Sequence, residues 1–130
     1  AVCDFKPLKY HTEKIKDKSI IIKTQKNKDI LKLLASKKEK QFVVGFALES
    51  NNEEANAIKK LKSKNMDMIV LNSLNDNMSC FQYDTNKIKI IDSDLDIKTY
   101  PLMTKECVAV EIFSQILVNH TFVKLFNSNS

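Results

Sequence analysis

Short apolar, β-branched runs alternate along this chain with segments of helical period, and no other feature constrains the fold as tightly. Residues 19–24 (SIIIKT) are short and β-branched and predict a strand. From Asn27, a residue type that caps helices, Ile30, Leu33 and Leu34 fall on one helical face until the lysine cluster at 37–40 closes the segment. Residues 41–47 (QFVVGFA) form a nearly unbroken apolar run, the pattern of a strand covered on both faces, as parallel sheets require. Ser50 and Glu53 have the spacing of a capping box, which starts a second helix running to about Lys64. Residues 67–72 (DMIVLN) form a third strand, and the order strand, helix, strand, helix, strand predicts an α/β sheet with right-handed crossovers. Beyond it, 72–79 reads as a loop, 87–92 (KIKIID) as an antiparallel strand with one exposed face, and 93–96 as a turn. Thr104 then caps a closing helix whose Ala109, Ile112, Phe113, Ile116 and Leu117 form a core stripe, and the tail from 127 frays.

Gly45 is the one glycine in 130 residues, so neither a GxGxxG dinucleotide turn nor a P-loop exists in this chain. Any phosphate is held another way. The length suits one domain, and 28% charged residues with no apolar run near the roughly 18 that a membrane helix needs predict a cytoplasmic chain without membrane partners. Cys3, Cys80 and Cys107 are widely spaced, include no CxxC pair and are joined by only two histidines, His11 and His120. No zinc set emerges and no metal ligand is assigned; the thiols read as small buried hydrophobes of a reducing compartment.

Residues 1–40 carry twelve lysines against five acids, whereas 41–130 carry nine against eleven. Attraction for anions therefore concentrates in the first third. All 21 basic residues are lysine, which argues against a duplex reader, because arginine's planar fork is the commonest base contact. Lys60 and Lys64 lie four apart on the second helix, where like charges repel unless an anion compensates or the helix dipole offsets them, so the pair is a candidate phosphate clamp. Lys14, Lys16 and Lys18 recur after a proline-containing loop, as a basic flap or a solvated edge. Ligands of open α/β sheets gather beyond the carboxyl ends of the strands, which places Phe46 and Asn72 beside a crevice. His120 reads as a helix-end cation, Asp92, Asp94 and Asp96 as solvent-facing turn residues, and no Ser/His/Asp or Cys/His arrangement emerges.

The segments AVCDFKP at 1–7, EKIK at 13–16, NKDIL at 27–31, VVGFALES at 43–50, KLKSKNMDMIVLN at 60–72, FQYDTNKIKIID at 81–92 and PLMTKECVAVEI at 101–112 resemble, in order and spacing, the phosphopantothenate–cysteine ligase family. The resemblance implies a Rossmann-like three-layer sheet with helices on both faces and the N-terminal part of the fold missing. It divides the chain into a basic flap and dimer arm at 1–40, an α/β core at 41–120 and a tail at 121–130. It implies a step of coenzyme A biosynthesis: CTP activates the carboxylate of 4′-phosphopantothenate as an acyl-cytidylate, pyrophosphate leaves, and cysteine's amine attacks, with Mg2+ assisting. Positions matching the family's nucleotide contacts are Asp4, Lys14, Lys28, Asp29, Ile30, Leu31, Phe46, Lys60 and Lys64, with Lys14 as the catalytic candidate on a closing segment. A homodimer through the arm near 19–24 is expected, and no FMN on this portion.

The chain departs from the family at Asp17, where a further lysine is frequent, at Lys28, where proline is, and at Cys80, where glycine is usual. The family's upstream half, with its glycine-rich turn and an asparagine that acts on the acyl-cytidylate, has no counterpart, so a partial active site is expected. Two other readings compete. A lysine-rich nucleic-acid module would show steep salt dependence, although the basic third holds only Phe5 and Tyr10 for stacking. A noncatalytic fragment would pair without selecting CTP over ATP.

Overall fold

The structure is a computed structural model that describes residues 3–10, 12–16, 19–73 and 84–127, with side chains placed up to residue 119. Expectations for His11, Asp17, Lys18, Cys80, most of the 72–79 loop, the His120 side chain and the last three residues lie outside these. Along the chain run β1 (Phe5–Pro7), β2 (Thr24–Lys26), α1 (Ile30–Ala35), β3 (Val44–Glu49), α2 (Glu53–Ser63) and β4 (Met68–Ser73). They are followed by β5 (Thr85–Asn86), β6 (Ile88–Asp92), β7 (Ile97–Thr99), β8 (Met103–Thr104) and α3 (Lys105–Asn127).

The principal sheet has the order β3, β4, β6, β7. β3 and β4 are parallel, with Phe46 opposite Val70. β6 joins antiparallel, with Ile90 opposite Val70, as the alternation at 87–92 predicts, and β7 extends the antiparallel half. Period-two alternation sends Ile69, Leu71 and Ile91 to one face, where Ala57 and Leu61 of α2 cover them. Met68, Val70, Ile88 and Ile90 go to the other face and pack under Val108, Ile112 and Ile116 of α3. The result is the expected α/β architecture with helices on both faces. Each fully buried aliphatic side chain contributes about 1.5–3 kcal/mol of transfer free energy to that arrangement.

Two local features fix how β3 enters the sheet. A Cβ on Gly45 would lie 2.2 Å from Met66 Sδ, so the glycine lets the Met66 side chain close directly on the strand, with Leu31 of α1 in ordinary contact beside it. Asp67 Oδ2 accepts a hydrogen bond from the Val43 amide at 2.7 Å while Oδ1 pairs with Lys38 Nζ at 2.8 Å, tying the approach to β3 to the approach to β4. Elsewhere the expected Thr104 cap and the turn at 93–96 form. The Cys107 amide donates to Thr104 Oγ1 at 3.3 Å, and Asp92 Oδ1 accepts from the Asp94 and Asp96 amides at 3.0 Å each.

Several local expectations are corrected. The strand expected over 19–24 begins at Thr24 and pairs only with β1, in a separate two-stranded ribbon. β1 is three residues long and offers no ladder partner to the isoleucines, so Ile20, Ile21 and Ile22 stay exposed, Ile21 at 90%. The cap of α1 is Asp29, whose Oδ1 accepts from the Lys32 amide at 3.0 Å, because Asn27 is engaged with the Cys3 carbonyl at 2.7 Å. That start turns Leu31 and Ala35 inward and leaves Ile30, Leu33 and Leu34 exposed. The N-cap of α2 is Asn52, in the left-handed region at φ 46°, in place of Ser50, and Glu53 is the first helical residue, its carboxylate accepting from the Ser73 hydroxyl. β3 is an edge strand and not covered on both faces: Phe46 is 70% exposed and Leu48 is also exposed. Of the expected α3 stripe, Ile112 and Ile116 pack inward as the spacing predicts and Val108 joins them in place of Ala109, whereas Phe113 is 67% exposed and Ala109 and Leu117 also face outward. Cys3 and Cys107 are exposed free thiols and not core residues, because Val108 takes the inward position at the start of α3.

Candidate functional site

Lys60 and Lys64 lie one turn apart at the end of α2, about 6 Å along the helix axis. The repulsion expected of such a pair is relieved by two separate carboxylates. Lys60 Nζ sits 2.5 Å from Glu49 Oε1, at the carboxyl end of β3, and Lys64 Nζ sits 2.9 Å from Asp29 Oδ2, at the start of α1. Glu49 Oε2 also accepts from Asn56 Nδ2 at 3.4 Å. An ammonium carries three donors, so a single carboxylate bond leaves each lysine two for a further acceptor.

Asp29 is the junction of this group. The Lys32 amide first, and then the Lys64 ammonium, hold its carboxyl below the ordinary range against the opposing effect of burial. Asp4 reaches the same neighbourhood through the backbone: its carbonyl accepts from the Asn27 amide at 2.8 Å, which fixes the end of β1 beside the segment entering α1. Lys28 and Ile30 are exposed there, whereas the Leu31 side chain turns inward against the core under α2. The structure thus brings Asp4, Lys28, Asp29, Lys64 and Lys60 to one region around α1 and α2. Phe46 alternates with the buried Gly45 and Ala47 and so points to the other face of the sheet, at the free edge of β3.

Lys14 is exposed, on the segment between β1 and β2. Its neighbours Glu13 and Ile15 line an open cleft of about 730 Å³ together with Tyr10 and the three isoleucines at 20–22. The candidate set supplies cations, an apolar wall and polar caps, and it contains no activated nucleophile. Among the described residues no group of three or more His, Cys, Asp or Glu side chains is arranged to hold a metal ion. Residue patterns alone passed over Glu49 and Asn56. The one signal for Glu49 is its place just after an apolar run, at the carboxyl end of a strand.

Among the described residues, no helix is long and apolar enough to cross a membrane. The curated proteins similar to this chain include a cysteine/cysteine sulfinic acid decarboxylase of an unknown prokaryotic organism, 47% identical over 120 residues, covering 90% of this chain and 33% of that protein. They also include the coenzyme A biosynthesis bifunctional protein CoaBC of Bacillus subtilis (strain 168), 39% identical over 118 residues, covering 89% of this chain and 29% of the relative. The chain thus spans about a third of the length of these relatives. Among solved structures, the C-terminal domain of a coenzyme A biosynthesis bifunctional protein CoaBC superposes with a TM-score of 0.70 at 35% identity, covering 95% of this chain and 52% of that one. The model of the DNA/pantothenate metabolism flavoprotein C-terminal domain matches residues 1–119. The chain therefore belongs to that family, in the phosphopantothenate–cysteine ligase portion of the flavoprotein.

Proposed function

We propose that this chain forms the carboxyl-terminal part of a ligase of coenzyme A biosynthesis that joins 4′-phosphopantothenate to cysteine with CTP as the activating nucleotide. The observation that carries this reading is the pair of lysines on successive turns of α2, each tethered to its own carboxylate, beside the free edge of β3 where Phe46 stands exposed. A nucleotide laid across that edge meets the lysines from one face of the sheet and the phenyl ring from the other.

In the first half-reaction the pantothenate carboxylate attacks the α-phosphorus of CTP, and the bond to pyrophosphate breaks. In the second, the amine of cysteine attacks the acyl carbonyl, CMP leaves, and the amine releases a proton. Charge that spreads onto a departing pyrophosphate rewards fixed cations, which is the role of Lys60 and Lys64. Lys14, carried by the segment between β1 and β2, adds a cation over the reacting phosphoryl and excludes water. Asp4 and the backbone of residues 28–31 meet polar atoms of the nucleotide, and Phe46 meets the base or ribose. Magnesium would enter with the triphosphate and offset its charge, and no ligand for it is assigned in this chain. The exposed isoleucines beside Lys14 seat the arm of a second copy, giving a homodimer.

The test is pyrophosphate release from CTP and from ATP, with magnesium and phosphopantothenate, by this chain extended at its amino end with the upstream half of the relative domain. The expected result is CTP-selective release that Lys14→Gln lowers by about 100-fold. A folded, dimeric protein that releases none contradicts the reading.

A further inference from the structure

Resting on the assignment of Lys60 to the triphosphate, we infer that Glu49 is a positioning residue whose carboxylate fixes the Lys60 ammonium at the end of β3. A carboxylate beside an anion site at first opposes binding, since its charge repels the phosphates that the lysine attracts. The geometry explains why one stands there. The Glu49 side chain is only 12% exposed, it terminates a strand of the principal sheet, and it holds Asn56 on its second oxygen at 3.4 Å. Its own position is therefore set by β3 and by the first turns of α2.

Lys60 has the opposite character. Its side chain is 47% exposed on a flexible four-carbon stem, and among the described residues its ammonium bonds to Glu49 alone, at 2.5 Å. Glu49 uses one N–H of that ammonium and leaves the others directed away from the strand end. The ordering cost of a rotamer-rich cation is met in the free protein, before the ligand arrives. Lys64 is held differently, since Asp29 is more exposed and also caps α1, so the two lysines are fixed independently.

The two possible roles of Glu49 differ in the sign of their effect. If Glu49 were only a nearby negative charge, neutralising it would tighten CTP binding. Because it positions Lys60, Glu49→Gln weakens CTP binding by about tenfold. The test is calorimetric titration of magnesium–CTP into the chain extended at its amino end with the upstream half of the relative domain and into its Glu49→Gln, Lys60→Gln and double variants, with thermal unfolding as a control and the rate of Lys60 acylation by a lysine-selective reagent as a second readout. The expected results are weaker binding in each single variant, no further loss in the double variant, and faster Lys60 acylation once Glu49 is neutralised. Binding unchanged or tightened by Glu49→Gln, additive losses in the double variant, or an unchanged acylation rate each overturn the inference. A folded extended chain that binds no CTP sinks the ligase reading and with it the triphosphate half of this inference, while the acylation rates still decide whether Glu49 fixes Lys60.

Discussion

Two apolar stretches of similar composition meet opposite fates in this molecule. Residues 69–71 (Ile, Val, Leu) are fully buried in the middle of the principal sheet, whereas the three isoleucines at 20–22 are exposed beside a three-residue ribbon strand. Local composition is nearly the same in both. What differs is the cover: β4 has β3 and β6 as neighbours and a helix over each face, while the isoleucines line an open cleft with no helix over them among the described residues. β-propensity measures the fit of a side chain to a pleated, half-buried surface, and it does not supply that surface.

The contrast breaks most directly in stability. Ile91→Ala, in the sheet core, is expected to cost about 2–5 kcal/mol, and Ile21→Ala in the arm less than about 0.5 kcal/mol in the monomer, both measured by urea unfolding. Equal losses would mean that the arm packs as tightly as the core. Gly45→Ala probes the close approach at the sheet edge. The added methyl meets the buried Met66 sulfur, and an overpacking cost of about 1–3 kcal/mol follows, of which Met66→Val in the same chain recovers part. Asp67→Asn, which removes the charge from the tie between the approaches to β3 and β4, is expected to cost about 1 kcal/mol in the same assay.

The smallest effect falls on the more exposed side, at Asp29. Its folded-state pKa is lowered, so the cap and ion pair contribute stability above the ordinary carboxylate value of 3.8 and lose it as pH falls through the folded value. Asp29→Asn keeps a capping acceptor, changes neutral-pH stability by less than about 0.5 kcal/mol, and flattens that acid limb in a pH series of unfolding midpoints. An unchanged acid limb would show that Asp29 titrates alike in folded and unfolded chains.

The sheet was legible because its signals are local and repeated. The apolar runs that become β3 and β4, the alternation that becomes β6, and the Thr104 cap each declare themselves within a few residues. Several of the misplacements come from contacts made at long range. Asn27 looks like a helix cap until the Cys3 carbonyl, 24 residues away, takes its side chain. The α3 spacing places Ile112 and Ile116 inward correctly, but it is broad enough to admit Ala109, Phe113 and Leu117 as well, and only the sheet beneath narrows it and adds Val108. Within the site, the lysine spacing on α2 was readable, but its partners were not. Glu49 and Asp29 lie on β3 and at the start of α1, and no periodicity links them to Lys60 and Lys64.

The most direct test of the ligase reading is a side-by-side titration of magnesium–CTP and magnesium–ATP into the folded chain extended at its amino end with the upstream half of the relative domain, and into its Lys60→Gln/Lys64→Gln double variant. Saturable binding that favours CTP and disappears in the double variant is the predicted result. Binding indifferent to the base, or retained without the two lysines, would contradict it and leave the charge of α2 as a solvated helix end.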